Sequence, residues 1–266
     1  MKRSQQKEMM DLPGQPQELL AGDLRNLQII NHYLGGYRSV LCGLDRLVGG
    51  GKLNRFSLLD VGTGSGDIPA RIIHWAQQHS IKASIVALEP EPVTARLAAI
   101  LTQQANPPFI PPLQRLPSAV IPAKAGIQAG KEGDSPRCGI SVVRGDAIAP
   151  PFRPASFDFV LASQLLHHFS EDKIVSLLRI WSKVARKAII ISDLVRHPVA
   201  YYGIRMITKL FTCNIMTRTD APLSVQRAFT FAEWRDLFRC ADIGPVELLP
   251  VFPFRVLALL SLSGRT

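Results

Sequence analysis

The sequence predicts an α/β fold built on a mainly parallel sheet with helices on both faces. Three observations carry this. From residue 57 onward, short apolar runs alternate with stretches of helical periodicity. A glycine-rich turn, Asp60-Val61-Gly62-Thr63-Gly64-Ser65-Gly66-Asp67, follows the first of these runs. Polar residues then recur just past the ends of later runs, where open α/β sheets bind their ligands.

Taken in order, Leu20, Leu24, Leu27, Ile30 and Leu34 sit at helical spacing. Beyond Gly35-Gly36, so do Leu41, Leu44 and Leu47. Two amphipathic helices are expected, forming an N-terminal cap over residues 1–56. Gly49-Gly50-Gly51-Lys52 reads as a linker. It is not a P-loop, because Leu53 stands where Ser or Thr is required. Residues 57–61 predict the first strand, and the helix after it carries Pro69 in its opening turn. Residues 83–88 predict a second strand, and Val93, Leu97, Ile100 and Leu101 one face of the next helix. Residues 140–143, 157–162 and 188–192 predict three further strands. Ile174, Leu177, Leu178, Trp181 and Val184 mark the helix between the last two. Thr230-Phe231-Ala232-Glu233 is a capping box, with Phe229 and Trp234 placed as a hydrophobic staple. That helix should stop near Asp242, ahead of Gly244-Pro245. Residues 246–249 and 255–260 then read as a closing antiparallel pair.

Residues 107–139 break the pattern, with seven prolines and four glycines among 33 residues. Such a stretch has too little contiguous apolar surface to offset its ordering entropy, so it reads as a disordered insertion. Residues 118–128 resemble translated copies of short palindromic repeats scattered through bacterial genomes. A surface loop tolerates such lengthening at roughly 0.6 kcal/mol per doubling.

At 266 residues, 47% hydrophobic and 20% charged, the composition is that of a soluble globular chain. The start, Met1-Lys2-Arg3-Ser4-Gln5-Gln6-Lys7-Glu8, lacks the apolar core of a signal peptide. No apolar run approaches the ~20 residues that span a bilayer. Four cysteines without a C-x-x-C pair point to reduced thiols in a cytoplasm rather than a disulfide framework or zinc site. The net charge is +10, and residues 196–239 hold seven basic residues against Asp220, Glu233 and Asp236. A basic patch of this kind suits nucleic acid, peripheral contact with an anionic membrane, or an acidic small molecule, as well as plain solvation.

The glycine turn lets a ligand lie almost against the backbone. A dinucleotide fingerprint would need its third glycine at position 67, where Asp67 stands. A carboxylate at a helix N-terminus also repels the pyrophosphate that the helix dipole would attract. The turn therefore suits a phosphate-free ligand with some positive charge. Glu89 closes the second strand, where a carboxylate can accept both ribose hydroxyls. Gly145-Asp146-Ala147 follows the third strand, placing an acid to accept from an adenine amino group or, equally, to cap its own turn. Phe157-Asp158-Phe159-Val160-Leu161-Ala162-Ser163-Gln164-Leu165-Leu166-His167-His168-Phe169 runs from a buried strand into a loop with two histidines.

In this order the four segments resemble the class I S-adenosylmethionine-dependent methyltransferases, nearest to the bacterial small-molecule branch of quinone biosynthesis and secondary metabolism. The resemblance covers residues 57 to about 192 outside the insertion and extends more weakly beyond. It implies a Rossmann-like, seven-stranded, mostly parallel sheet whose last strand is antiparallel, spanning residues 57–262. It also implies S-adenosylmethionine as cofactor, lined by Asp60, Gly62, Gly64, Gly66, Glu89, Pro90, Asp146, Ala147 and Ala162.

On the acceptor side, His167 and His168 lie close to where the methyl group would be, and are the candidate catalytic residues. One can act as general base toward a phenol or carboxylate, can orient the acceptor, or can merely shape the loop. No metal is expected, since no third ligand is evident nearby. Asn106-Pro107-Pro108-Phe109 copies the base-gripping motif of nucleic-acid amino-methyltransferases, but it falls after the second strand rather than the fourth. Residues 196–229, with Tyr201, Tyr202, Phe211 and several arginines, are expected to cap a small-molecule acceptor, with an oxygen as the atom attacked. Phenolic, polyketide-like and acyl acceptors all suit such a cap. An RNA methyltransferase and a non-catalytic S-adenosylmethionine-binding protein are the alternatives. The sequence is silent on oligomeric state.

Overall fold

Apolar residues on alternate sides of the central strands set the layers of this fold. The computed structural model describes residues 1–49, 51, 53–104 and 139–262. The strands are β1 (Arg55–Val61), β2 (Lys82–Glu89), β3 (Gly139–Arg144), β4 (Phe157–Ser163), β5 (Ala185–Leu194), β6 (Val246–Val251) and β7 (Arg255–Ser261). They form one seven-stranded sheet in the order β3-β2-β1-β4-β5-β7-β6. β1 to β5 are parallel, and β7 runs antiparallel to both β5 and β6. Each expected strand is present, with β5 three residues longer at its start and two at its end than the apolar run 188–192.

Eight helices complete the described residues: α1 (Gln17–Tyr33), α2 (Gly36–Leu47), α3 (Asp67–Gln78), α4 (Pro92–Gln104), α5 (Glu171–Val184), α6 (Pro198–Phe211), α7 (Ile215–Arg227) and α8 (Phe231–Ala241). Leu58, Phe159, Leu161, Ile190 and Leu257 face α2 and α3. Their strand neighbours Leu59, Val160, Ile189, Ile191 and Val256 face α5 and α8 on the other side. Both faces are thus covered, which is why the strand sequences are nearly continuous in apolar residues. Each such buried side chain contributes about 1.5–3 kcal/mol relative to exposure.

The capping box of α8 forms in full. Thr230 N donates to Glu233 Oε2 at 2.7 Å, and Glu233 N donates to Thr230 Oγ1 at 3.3 Å. The Phe229 and Trp234 rings lie 5.1 Å apart as the staple, and Asp242 ends the helix in the left-handed region.

The first sixteen residues do more than lead into α1. Ser4 N donates to Gln226 O at 3.1 Å, Arg3 Nε to Arg227 O at 2.7 Å, and Met9 N and Met10 N to the Asp220 carboxylate at 2.9 and 3.0 Å. These bonds tie the N-terminal segment to α7. α1 joins the same helix through Leu20, Leu24 and Met216, and through Thr217 Oγ1 donating to Asp23 at 2.6 Å. Apart from Gly139, which opens β3, the expected insertion over 107–139 lies outside the described residues, as does Asn106-Pro107-Pro108-Phe109.

Candidate functional site

Strand order reverses between β1 and β4, with β2 and β3 on one side and β5 on the other. Such a switch point opens a crevice at the carboxyl ends of the strands. The glycine turn leaves β1 there, and Ser163-Gln164 leaves β4 beside it, Val61 being in register with Ala162. Gly62, Gly64 and Gly66 have φ of 69°, 57° and 74°, a region that L side chains rarely adopt. The turn is pinned from below, where Gly62 N and Thr63 N donate to Leu88 O at 2.9 and 3.2 Å. It is pinned from the side by Glu89, whose Oε2 accepts from Gly64 N at 3.0 Å.

Carboxylates dominate this end of the sheet. Burial pushes the Asp60 carboxyl up to about 7; the Thr63 hydroxyl, donating at 2.6 Å, opposes the rise, and Asp67 and Glu89 add to it. Burial likewise raises Glu89 to about 7 against the Gly64 and Glu91 amides. Asp60, Gly62 and Gly64 line a cavity of about 120 Å³ with Glu8, Asp23, Asp67, Asp220, His167 and His168. Among the described residues lining it, five are carboxylates and none is lysine or arginine. In their ionised forms these groups draw in a cation and repel phosphate.

The remaining expected cofactor residues divide. Glu89 reaches the turn through its carboxylate. Gly66 stands behind the turn, against Ala98 and Thr102 of α4. Pro90 is exposed beyond β2. Asp146 is also exposed, and its Oδ1 accepts from Ile148 N at 2.9 Å, so it caps its own turn. Ala147 is buried and its carbonyl accepts from Trp181 Nε1 at 2.9 Å. Ala162 packs in the core beneath α5 and not in the cavity.

The two histidines belong to a chain of acids and imidazoles that runs from buried Asp193, His167 and Glu8 outward to His168 and the exposed Asp11. His167 Nδ1 lies 2.7 Å from Asp193 Oδ1, and its Nε2 lies 3.6 Å from Glu8 Oε1. His168 Nε2 lies 3.8 Å from Glu8 Oε2, and its Nδ1 is 3.0 Å from Asp11. Burial alone would raise Asp193, but the His167 imidazole and the Leu194 amide hold it below the usual carboxylate range. Burial raises Glu8 to about 7, against His168 and Arg227. An Asp193 carboxylate can only accept, so Nδ1 of His167 donates to it and Nε2 is turned toward Glu8.

Glu8, His167 and His168 can each offer a ligand atom, all within 4.8 Å of one another. The sequence showed no third ligand; the N-terminal segment supplies one in Glu8. Arg227 Nε lies 3.8 Å from Glu8 Oε1 and already places a positive charge against that carboxylate.

Glu8, Asp11, Arg227 and Asp193 were not singled out from the sequence. Asp193 carried a usable signal, since it ends an apolar run, Ile189-Ile190-Ile191-Ser192, as Asp60 does. Glu8 and Asp11 carried none, because their partners lie far along the chain.

A second cavity of about 240 Å³ adjoins the first and shares Leu27, Gln164, Leu194, Ala221 and Ser224 with it. Its walls are mostly aliphatic, from Ile30 of α1 and Leu34 just past its end, Ile204 and Ile207 of α6, and Val225 of α7. Arg255, Gln164 and Ser224 are its polar members. Arg255 is buried, donates to Leu34 O at 2.6 Å and Asn31 Oδ1 at 3.3 Å, and leaves Nη1 without a partner among the described residues. Burial lowers its guanidinium to about 10.

Residues 59–190 match a family described as a methyltransferase domain. No curated protein matches the chain. Among solved structures, an O-methyltransferase family 2 protein from Planctomyces limnophilus in complex with apigenin is 17% identical, with a TM-score of 0.58 over 94% of this chain and 62% of its own. Human N-acetylserotonin methyltransferase in complex with S-adenosylmethionine is 15% identical, with a TM-score of 0.56 over 97% and 63%. A methyltransferase dependent on the same cofactor from Aquifex aeolicus is 12% identical, with a TM-score of 0.56 over 94% and 100%. At these identities the likeness is one of fold. This chain spans about three fifths of the length of the first two proteins.

Proposed function

We propose that this protein, whose residues 59–190 match a methyltransferase domain, moves a methyl group from S-adenosylmethionine to an oxygen of a small, largely apolar acceptor. Phenolic, polyketide-like and acyl molecules are the acceptor classes that fit. The observation that carries the proposal is the pairing of two cavities. One is lined by five carboxylates with no lysine or arginine among its described residues, and the other is mostly aliphatic.

The residues present suit the cofactor. Gly64 offers open space on the ligand side, the nearest atom to a Cβ built there being Leu24 Cδ2 at 3.9 Å. Glu89 would accept the ribose hydroxyls, and Asp60 and Asp67 would face the cationic end. Pro90, Asp146 and Ala147 would border the adenine. Bound S-adenosylmethionine supplies an electrophilic methyl group on a sulfonium, open to in-line displacement by a nucleophile.

The chain's own residues then hold the acceptor and take its proton. Walls from α1, α6 and α7 exclude water from the apolar body of the acceptor. Arg255 favours an acceptor with a carbonyl or anionic oxygen, which would meet its unpartnered Nη1. His167, oriented by Asp193, receives the proton of the attacking hydroxyl on Nε2, and Glu8 stabilises the imidazolium. His168 extends that chain to Asp11. With the cofactor held at Asp60, Gly64 and Glu89, the acceptor oxygen's electron pair would take the methyl group and the carbon–sulfur bonding pair would stay on a neutral thioether.

The three described cysteines, Cys42, Cys213 and Cys240, are free thiols and suit a reducing cytoplasm. The test is incubation with methyl-labelled cofactor and a metabolite extract, followed by mass spectrometry. Label should appear in an organic-soluble small molecule. Label confined to RNA, or no turnover despite tight binding, would overturn the proposal.

A further inference from the structure

The outer face of α6, beside the residues that line the aliphatic cavity, is apolar and open. Val199, Tyr202, Met206 and Leu210 form one stripe along the helix, continued by Phe211 and Ile215, and these six are between 56% and 81% exposed. A helix whose inner side already packs on the protein ordinarily presents polar residues outward. The apolar surface continues onto the β6–β7 turn, where Phe252 is 80% exposed and Phe254 stacks on His197 at 4.8 Å. Val199 and Phe254 also line the aliphatic cavity, so the patch borders it.

The charge around this patch has one sign. Residues 194–219 contain Arg196, Arg205, Lys209 and Arg218 and no aspartate or glutamate. Arg205, Lys209 and Arg218 are exposed beside the stripe. From the β-turn side, the Arg38 guanidinium sits 6.0 Å from the centre of the Phe252 ring.

We propose that α6 and the β6–β7 turn form a docking surface for an anionic phospholipid bilayer. An apolar stripe with flanking cations and a tyrosine at the boundary is the pattern of a helix lying in the membrane interface. A second copy of the chain fits less well. A twofold contact through α6 would set Arg205 and Lys209 against their own counterparts with no acid on the same face to pair with them. Anionic headgroups neutralise those cations while the stripe enters the acyl boundary. Docked this way, the aliphatic cavity borders the lipid. That route for an acceptor rests on the function proposed above; the docking itself does not.

The test is sedimentation of the full chain with vesicles of phosphatidylcholine alone and of phosphatidylcholine with phosphatidylglycerol, at low and high salt. Binding to the anionic vesicles should exceed binding to the neutral ones at least tenfold and weaken with salt. The Met206→Ser, Leu210→Ser, Phe211→Ser triple variant should lose at least tenfold in vesicle binding, with unchanged cofactor affinity and melting temperature. Arg205→Glu with Lys209→Glu should abolish the preference for anionic vesicles. Failure of the unaltered chain to bind, or equal binding by both variants, would overturn the proposal. So would an oligomer that the triple variant breaks apart while neither protein sediments with vesicles. None of these outcomes depends on methyl transfer.

Discussion

Gly64→Ala separates ligand approach from backbone strain in the glycine turn. Gly64 has φ of 57°, and a Cβ there would meet nothing nearer than Leu24 Cδ2 at 3.9 Å. Its cost to the free protein is therefore conformational alone, about 1–2 kcal/mol for an L residue in the left-handed region. The loss of chain entropy in the unfolded state offsets roughly 0.4–1 kcal/mol of that. The net loss should be near 1 kcal/mol, or about 2–4 °C in melting temperature for a chain of this size. Gly66→Ala adds a steric conflict, since its Cβ would lie 2.8 Å from Thr102 Cγ2 with φ at 74°. That variant should lose clearly more stability. The binding ranks reverse the logic. The methyl group at Gly64 would project into the space proposed for the cofactor, so calorimetry with S-adenosylhomocysteine should show at least tenfold weaker binding at small structural cost. Wild-type affinity in Gly64→Ala would refute the placement of the ligand. A stability loss above that of Gly66→Ala would refute the steric account.

Asp60 and Glu89 both stand at about 7 in the free protein, raised by burial from 3.8 and 4.5. These groups bind protons in the folded chain that the unfolded chain releases, so the free protein should lose stability as pH rises toward 7, measurable by urea denaturation. A cationic ligand favours their ionised forms, so binding releases protons, and affinity should rise about tenfold between about pH 6 and 8 for each proton released. Affinity independent of pH would contradict this. Asp193→Asn removes the negative charge that would stabilise a protonated His167 and turns one of its two acceptor oxygens into a donor, so kcat should fall roughly 10²–10³-fold with cofactor affinity unchanged; an unaltered rate would mean that no base is used. Because Arg227 already lies against Glu8, dialysis against a chelator should leave methyl transfer unchanged, and activity restored only by added zinc would contradict that assignment.

The sheet and the cofactor turn were legible because their signals are local. The short apolar stretch Leu58-Leu59 before Asp60, alternating glycines after it, and Glu89 one strand later all sit within a single βαβ unit. The capping box at Thr230 was legible for the same reason. Asp146 could be placed past its strand, but not told apart as ligand or turn cap, since both uses need an acid at the same position. The chain from Asp193 through His167 and Glu8 to Asp11 was hidden, because it joins an N-terminal segment to loops more than 150 residues away. Arg255 was hidden differently. It opens a strand of apolar residues, where a charge reads as a solvated end, yet it is buried beside Asn31 and Gln164.

The account turns on which ligand fills which cavity, so the most direct test is a crystal structure of the complex with S-adenosylhomocysteine. The ribose should lie on Glu89, the backbone at Gly64 should face the ligand, and the sulfur should point past Gln164 and Leu194 into the aliphatic cavity. A sulfur directed away from that cavity, or a ligand bound elsewhere on the sheet, would contradict it.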